Sequence, residues 1–499
     1  MSTRTRSGQV AAIDLGATSG RVMVADIGPG RLELEQVARF ANDPVHIWNG
    51  HRTALHWDLP GLFGDACAGL AEAGRRCENL VGIGVDSWAV DYALLRDGRM
   101  LGLPHHYRDD RTDTGVRLVH DRLDPAELYR RNGLQFLPFT TVYQLAVEQS
   151  DGLLGAADSA LLIPDLIGYW LTGRRGTERT NASTTGLLHT DGHWDRELLE
   201  RLGLPADLFP DLVEPGTALG PVLPDVAARL GLPAATTVTS VASHDTASAV
   251  AAIPMDPGSS AYISCGTWGL VGVELEAPNV SPASRQANFT NEVGVDGRIR
   301  FLHNVMGLWL LSETLRQYER EGYRADLAEL LAQAAEVPTA FDVFDTEDPS
   351  FLPPGDMPGR IRAWYTDRGL QVPVTRAETV RVIVESLAAA FADSVHRAAA
   401  LSGVPVQRVH LVGGGSQNRL LCQLTADRLG LPVLAGPVEA TALGNVLLAA
   451  RAHGLVDGDL QSMRALVANR FPPQQYHPRT RRSRALAAPA ADGGGVTVC

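Results

Sequence analysis

The sequence predicts an α/β protein built from two related domains, and three observations carry that expectation. A strand–turn–strand unit recurs about halfway along, strand-like and helix-like patterns alternate in both halves, and 499 residues exceed what one hydrophobic core organises. The first unit runs from Gln9 to Ile27 as two apolar stretches around a glycine-rich turn at Leu15 to Gly20. The second, Ser260 to Glu274, has the same form, and aligning the glycines pairs Gly16 with Gly266, Ala17 with Thr267 and Ser19 with Gly269. Between them Ile253 to Ser260 (IPMDPGSS) gathers the Pro, Asp, Gly and Ser residues expected of a domain connection. The expected boundaries are 8–253 and 257–455, followed by a disordered tail at 478–499 that turns Arg-rich and then Ala/Gly-rich.

Three further elements fill this plan. Val409 to Leu429 reads as a short apolar strand, the triplet Gly413 to Gly415, then a helix carrying Leu420, Leu421 and Leu424. Thr375 and Glu378 form a capping-box signature ahead of a long apolar-striped helix that Gly403 closes. Thr236 to Ala242 is β-branched and reads as a buried strand, after which Ser243-His244-Asp245-Thr246 opens a small-residue helix through Ala252.

Bulk properties exclude several functions. An apolar share of 45% and a charged share of 20% describe a globular chain, and a net charge of −13 argues against a nucleic-acid surface. The polar, Arg-bearing N-terminus fits neither a signal peptide nor an anchor, no apolar run reaches the length of a membrane span, and the odd number of scattered cysteines speaks against a disulfide framework. A cytoplasmic protein with reduced thiols and small-molecule partners is expected. Every one of the 44 basic residues is Arg. Schiff-base enzymes, Walker-A NTPases and protein kinases all need a Lys at the chemistry, so those readings lose their central residue.

Asp14-Leu-Gly-Ala-Thr-Ser-Gly-Arg21 sets a carboxylate at a strand end before a turn rich in N–H groups and hydroxyls. Such a turn can wrap phosphate oxygens while the carboxylate holds Mg²⁺ through water. Alone it is equally a plain hairpin whose glycines permit positive φ. Its repetition at Cys265 to Gly269 favours two turns clamping one phosphate chain, with Thr267 offering hydroxyl and N–H. The Gly413 to Gly415 turn lets backbone approach a flat or anionic ligand and offers the dipole of the following helix, although a tight strand-to-helix turn has the same signature. Asp245 stands at the carboxyl end of a buried strand, where open α/β sheets bind ligands, but by itself it also reads as a helix N-cap. Arg108-Asp109-Asp110-Arg111 reads as a solvated charge cluster, Asn181-Ala-Ser183 as an incidental glycosylation match, and Met306 with Leu308 to Leu311 as a core helix whose start, Asn304, is a cap or a sugar hydrogen-bond donor.

The segments IDLGATSGRV, VASHDTASAV, SCGTWGLVG, HNVMGLWLL, LVGGGSQN and GPVEATALGN, in order from Ala11 to Leu448, resemble the FGGY carbohydrate kinases. The resemblance implies two ribonuclease-H-like domains of the actin and sugar-kinase type with the active site between them. Ala17, Thr18, Ser19, Gly20 and Arg21 then match the ATP phosphate turn, with Thr267 and Gly414 at further ATP positions. His244, Asp245 and Thr246 match the substrate segment, Asp245 stands in the place of the proton acceptor, and Asn304 matches a substrate position. Ala89 replaces an expected substrate-contacting Gly, and Ser312 an expected ATP-contacting Gln. The implied reaction is Mg²⁺-dependent phosphoryl transfer from ATP to L-rhamnulose. The rival readings are a kinase of the same family for L-fuculose, D-xylulose, L-ribulose or glycerol, and a non-catalytic actin-like nucleotide-binding protein.

Overall fold

In a computed structural model, which describes residues 7–324, 326–338 and 340–479, two mixed sheets repeat one topology. The first sheet contains β1 (Gly8–Leu15), β2 (Ser19–Gly28), β3 (Arg31–Ala41), β4 (Leu80–Ser87), β5 (Thr217–Pro221) and β6 (Thr237–Ser240), in the order β5-β6-β4-β1-β2-β3. The second contains β7 (Ser260–Cys265), β8 (Trp268–Leu275), β9 (Thr290–Val293), β10 (Ile299–Met306), β11 (Arg408–Val412), β12 (Val433–Ala435) and β13 (Gln474–Tyr476), in the order β9-β10-β8-β7-β11-β12-β13. In each sheet the leading strand pairs antiparallel with its hairpin partner and parallel with the next strand inward, β1 with β2 and β4, β7 with β8 and β11. This is the expected α/β pair of ribonuclease-H-like halves.

The hairpin alignment needs one correction. Leu15 pairs with Gly20 across the first turn and Cys265 with Gly269 across the second. The first turn is therefore one residue longer, and the partner of Gly269 is Gly20 rather than Ser19. The tail at 478–499 falls, apart from its first two residues, outside the described residues. Cys67, Cys77, Cys265 and Cys422 are buried and unpaired.

Strand β1 (GQVAAIDL) is apolar on both faces because helices cover both sides. Ala11, Ile13 and Leu15 pack against α1 (Leu59–Arg76) and α2 (Ile163–Thr172). Val10 and Ala12 face the other way, among residues of α3 (Asp245–Ala251) and of a helix from the far end of the chain. Beyond α4 (Trp309–Arg320), the capping-boxed α5 (Arg376–Ser402) and α6 (Arg419–Leu429), that helix is α7 (Ala440–Ala452). It lies within the segment expected as the second domain, yet it packs on the first sheet. Glycines allow the approach: a Cβ on Gly444 would meet the Ser248 carbonyl oxygen at 1.8 Å, and one on Gly84 would meet Asn445 Oδ1 at 1.9 Å. Since side chains alternate along a strand, Asp14 on β1 and Asp86 on β4 continue the face covered by α7.

Candidate active site

A cavity of about 430 Å³ opens between the two hairpin turns. At its floor Asp14 pairs across the hairpin with Arg21 and across the parallel ladder with Asp86. Arg21 Nε lies 3.3 Å from Asp14 Oδ2, and Arg21 Nη1 donates to Glu439 Oε2, at the start of α7, at 2.5 Å. Burial raises the Asp14 pKa to about 6; the Arg21 charge opposes this, and the Asp245 and Glu439 charges add to it. Asp86 is pushed well above the usual carboxylate range by burial and by the Asp14 charge. Asn445 Nδ2 donates to Asp86 Oδ2 at 2.5 Å, which leaves Asp86 Oδ1 buried without a hydrogen bond. Among the described residues no three His, Cys, Asp or Glu side chains converge to ligate a metal directly. A pair of under-bonded carboxylates of this kind suits a cation that keeps its water shell.

Asp245 is not a helix cap. It is the first residue of α3, the N-cap position falls to His244 without a side-chain capping bond, and the Asp245 carboxylate accepts only from the Thr246 hydroxyl, at 3.1 Å. With its side chain 31% exposed, it faces the cavity. The loop is held from behind by buried Glu178, which accepts from Ser243 N and Oγ, both at 2.9 Å, and from Thr180 Oγ1 at 2.5 Å. Arg300, fully buried, donates from Nη2 to His244 Nδ1 at 3.0 Å. The same ring nitrogen lies 3.3 Å from Glu292 Oε2, and the other, Nε2, lies 3.5 Å from Asp245 Oδ1. Glu292 Oε2 sits 3.0 Å from the same Arg300 nitrogen, and although burial opposes its ionisation, the Arg300 charge holds its carboxyl below the ordinary value.

On one side of Asp245 the wall is aromatic. Buried Asp91 accepts from Trp57 Nε1 at 2.6 Å, Trp88 Nε1 at 3.0 Å and Gln144 Nε2 at 2.9 Å, fixing the segment from Ser87 to Asp91. Ala89 lines the cavity there. Its neighbour Val90 has φ of 68°, a strained value for a β-branched residue, and its carbonyl is tied down by Thr141 Oγ1 at 2.6 Å. Asn304 lies inside β10, so it neither starts nor caps a helix, and Met306 ends that strand; the helix begins at Trp309. Gln135 Oε1 accepts from Asn304 N at 2.8 Å and from Asn304 Nδ2 at 3.1 Å.

The charge cluster at Arg108 to Arg111 is not a solvated face. Asp109 is buried against Arg52, Arg111 pairs with Glu148 at 2.7 Å, and of the four only Asp110 is exposed. Arg108 stacks 4.0 Å from the Trp309 ring and 5.1 Å from the Trp268 ring, reaching across from one half of the chain to the other. The buried position of Asn181 also removes it as a glycosylation acceptor in the folded chain.

The opposite end of the cavity meets the expected nucleotide positions. Ala17, Thr18, Ser19, Arg21, Thr267, Ser312 and Gly414 line the cavity, as do His244, Asp245, Thr246 and Asn304. Gly20 does not: it lies in β2, where a Cβ would strike the Phe40 ring at 2.2 Å. The glycine triplet divides similarly. A Cβ on Gly413 would come 2.9 Å from the Cys265 carbonyl oxygen and one on Gly415 2.3 Å from Cys265 Sγ, whereas Gly414 has nothing nearer than Leu308 Cδ1 at 4.0 Å. The dipole expected after the triplet is displaced, because a 3₁₀ turn, Gly414–Gln417, intervenes and Asn418 caps α6 by accepting from Leu421 N. Sequence reasoning missed Asp86, Gln135, Glu292, Arg300 and Glu439. Asp86 could have been found as the polar end of a second apolar strand, and Glu292 with Arg300 as an opposite-charge pair eight residues apart on adjoining strands; Gln135 and Glu439 have no local signal, since their partners are 169 and 418 residues away.

A duplicated ribonuclease-H-like fold with two glycine-rich hairpin turns lining one cavity, and a part-exposed carboxylate in it, defines a sugar-kinase type of protein. The chain belongs to the FGGY family of carbohydrate kinases: the model of the family's N-terminal domain matches residues 9–252 and that of its C-terminal domain residues 261–453. It is thus a sugar phosphotransferase, and sugar kinases use ATP. It is 41% identical over 495 residues to a protein named rhamnulokinase from Pectobacterium carotovorum subsp. carotovorum, covering 96% of this chain and 97% of that one. It is 39% identical over 473 residues to another of that name from Bacteroides thetaiotaomicron, covering 94% and 95%. Its fold matches the crystal structures of a gluconate kinase from Lactobacillus acidophilus (TM-score 0.74, 18% identity, 95% and 94% covered) and of Plasmodium falciparum glycerol kinase with ADP (TM-score 0.73, 15% identity, 95% and 94% covered). No helix among the described residues is long and apolar enough to cross a membrane.

Proposed function

We propose that this chain transfers the terminal phosphoryl group of ATP to the primary hydroxyl of L-rhamnulose, giving L-rhamnulose 1-phosphate and ADP. The observation that carries the reading is the Asp245 carboxylate, part-exposed at the cavity, with no capping duty and one hydrogen bond from Thr246. The full-length similarity to proteins named rhamnulokinase supports the choice of sugar. In this reading the phosphate chain lies between Ala17 to Ser19 and Thr267, the nucleobase against Gly414 and Ser312, and the sugar among Ala89, His244, Thr246 and Asn304. The bond from the γ-phosphorus to the ADP oxygen breaks, the sugar oxygen takes its place, and the hydroxyl proton passes to Asp245. Because the transition state is loose, position and charge neutralisation account for more of the rate than proton removal. Asp14 and Asp86 would hold a hydrated Mg²⁺, which supplies charge neutralisation on the phosphate oxygens. His244, held from behind by Arg300 and Glu292, sets its Nε2 beside Asp245 and positions that carboxylate.

An ADP-release assay across L-rhamnulose, L-fuculose, D-xylulose, L-ribulose and glycerol tests this. The highest kcat/KM is expected on L-rhamnulose. A higher value on any other acceptor would replace the proposed substrate.

A further inference from the structure

Cation accounting in the cleft leaves one residue without an assigned task. Two arginines line the cavity, Arg21 and Arg39. Arg21, matched by family resemblance to the phosphate turn, is engaged within the protein by Asp14 at 3.3 Å and Glu439 at 2.5 Å. Its charge is largely neutralised before any ligand arrives. Arg39 is its direct partner on the neighbouring strand, in the antiparallel register of β2 and β3. Among the described residues the Arg39 side chain makes no hydrogen bond and no ion pair, although its charge is felt by Asp14.

Like charges directly opposite on a sheet are destabilising. An Arg held opposite another Arg, at a cavity and without a paired carboxylate, gains an ion-pair partner when an anion enters. The chain has no Lys, so any side-chain ammonium or guanidinium that meets a phosphate is an Arg. Glu439 and Asp14 leave Arg39 as the available one.

We propose that Arg39 is a catalytic residue that contacts the terminal phosphoryl group of the bound nucleoside triphosphate and neutralises charge on it during transfer. Arg21 acts as its positioning neighbour, locked to α7 through Glu439. The proposal rests on the kinase reading above and adds a side-chain cation to the Mg²⁺ of that reading. Arg39 stands opposite Arg21, whose Nε is 3.3 Å from Asp14, so it lies on the side of the cavity where the reading sets the phosphate turn and the hydrated Mg²⁺. Arginines in this role contribute about a thousandfold or more when enclosed. At an exposed mouth a smaller effect, roughly a hundredfold in kcat/KM for ATP, is expected.

The test compares Arg39→Met and Arg39→Lys with the parent, and uses Arg31→Met, at the other end of β3, as a surface-charge control. Steady-state kinetics should show the large loss for Arg39→Met, partial recovery in Arg39→Lys, and none for the control, with sugar affinity by calorimetry unchanged. Separately, titration with a non-hydrolysable ATP analogue and with ADP should show the analogue weakened about tenfold or more in Arg39→Met and ADP much less, as contact with the terminal group requires. Arg39→Met at close to parental kcat/KM, an equal loss of ADP and analogue binding, or a collapse in melting temperature would each overturn the assignment. Should the parent phosphorylate none of the sugars, the kinase reading fails, and the two titrations still decide the role of Arg39.

Discussion

The two hairpin turns share a topology and differ in chemistry. At equivalent positions the first hairpin has Asp14 opposite Arg21, with Asp86 on the adjoining parallel strand. The second has Ser264 opposite Leu270, with Val412 on the adjoining strand. At its turn the first hairpin thus carries a buried charge network, whereas the second has a neutral, apolar frame followed by glycines, the buried ion pairs of that sheet, Arg300–Glu292 and Arg464–Glu274, lying away from its turn. The difference teaches that duplication preserved the backbone cradle and divided the work. On the proposed function, the charge at the first turn handles the transferring group, and the close backbone approach at the second receives the flat ligand.

The hardest test of that division is Asp245→Asn, which leaves both turns untouched. Asn keeps the size and hydrogen-bonding capacity of the side chain but cannot take a proton. Since Asp245 does not cap α3, folding should be unaffected, and the melting temperature should stay near the parental value. Turnover should fall about a hundred- to ten-thousandfold, the usual cost of losing a positioned base. Phosphorylation at close to the parental rate would mean that the charged half works without Asp245.

A smaller but more diagnostic effect is expected at Asp14. Its pKa is raised from 3.8 to about 6, mainly by burial, so the folded state binds this proton more tightly than the unfolded one. The resulting stability is fully present below pH 4 and lost as pH rises through about 6. The displacement corresponds to roughly 3 kcal/mol. Asp14→Asn should therefore flatten stability between pH 4 and 6, and melt at or a few degrees above the parent at pH 7, while activity falls severely. Its counterpart Ser264→Ala should change neither profile by comparison. If Asp14→Asn is unstable and active, the carboxylate is a hairpin fixture and the contrast between the turns is structural only.

Much of this was legible in the sequence where the signal is local. Two apolar runs around glycines gave the hairpins, the Thr375–Glu378 box gave α5, and a β-branched run ending in polar residues gave Asp245 its position. What failed to show depends on distant partners. The one-residue difference in turn length is invisible until strand register is known. Arg108 to Arg111 read as surface because charge runs usually are, and burial came from Arg52, Glu148 and two tryptophans far along the chain. Likewise α7 carries no mark that it crosses to the first sheet, except Gly444, whose reason is a carbonyl nearly two hundred residues earlier.

The finest test separates two glycines that the sequence presents as equals. Gly413 has φ of 79°, and a methyl group there would lie 2.9 Å from the Cys265 carbonyl oxygen. Gly413→Ala should thus cost about 1–3 kcal/mol from the left-handed backbone and the close contact, visible as a lowered melting temperature with or without nucleotide. Gly414→Ala adds its methyl group to open space lining the cavity, so stability should hold within about 1 kcal/mol. There the effect should appear as a several-fold rise in the KM for ATP with kcat little changed, because a nucleobase loses the flat surface it rests on. The neutral half is a ligand cradle if the two variants part in this way. If Gly414→Ala binds ATP normally and both variants merely melt earlier, the triplet is only a strand-to-helix turn, and nucleotide affinity must come from the charged half as well.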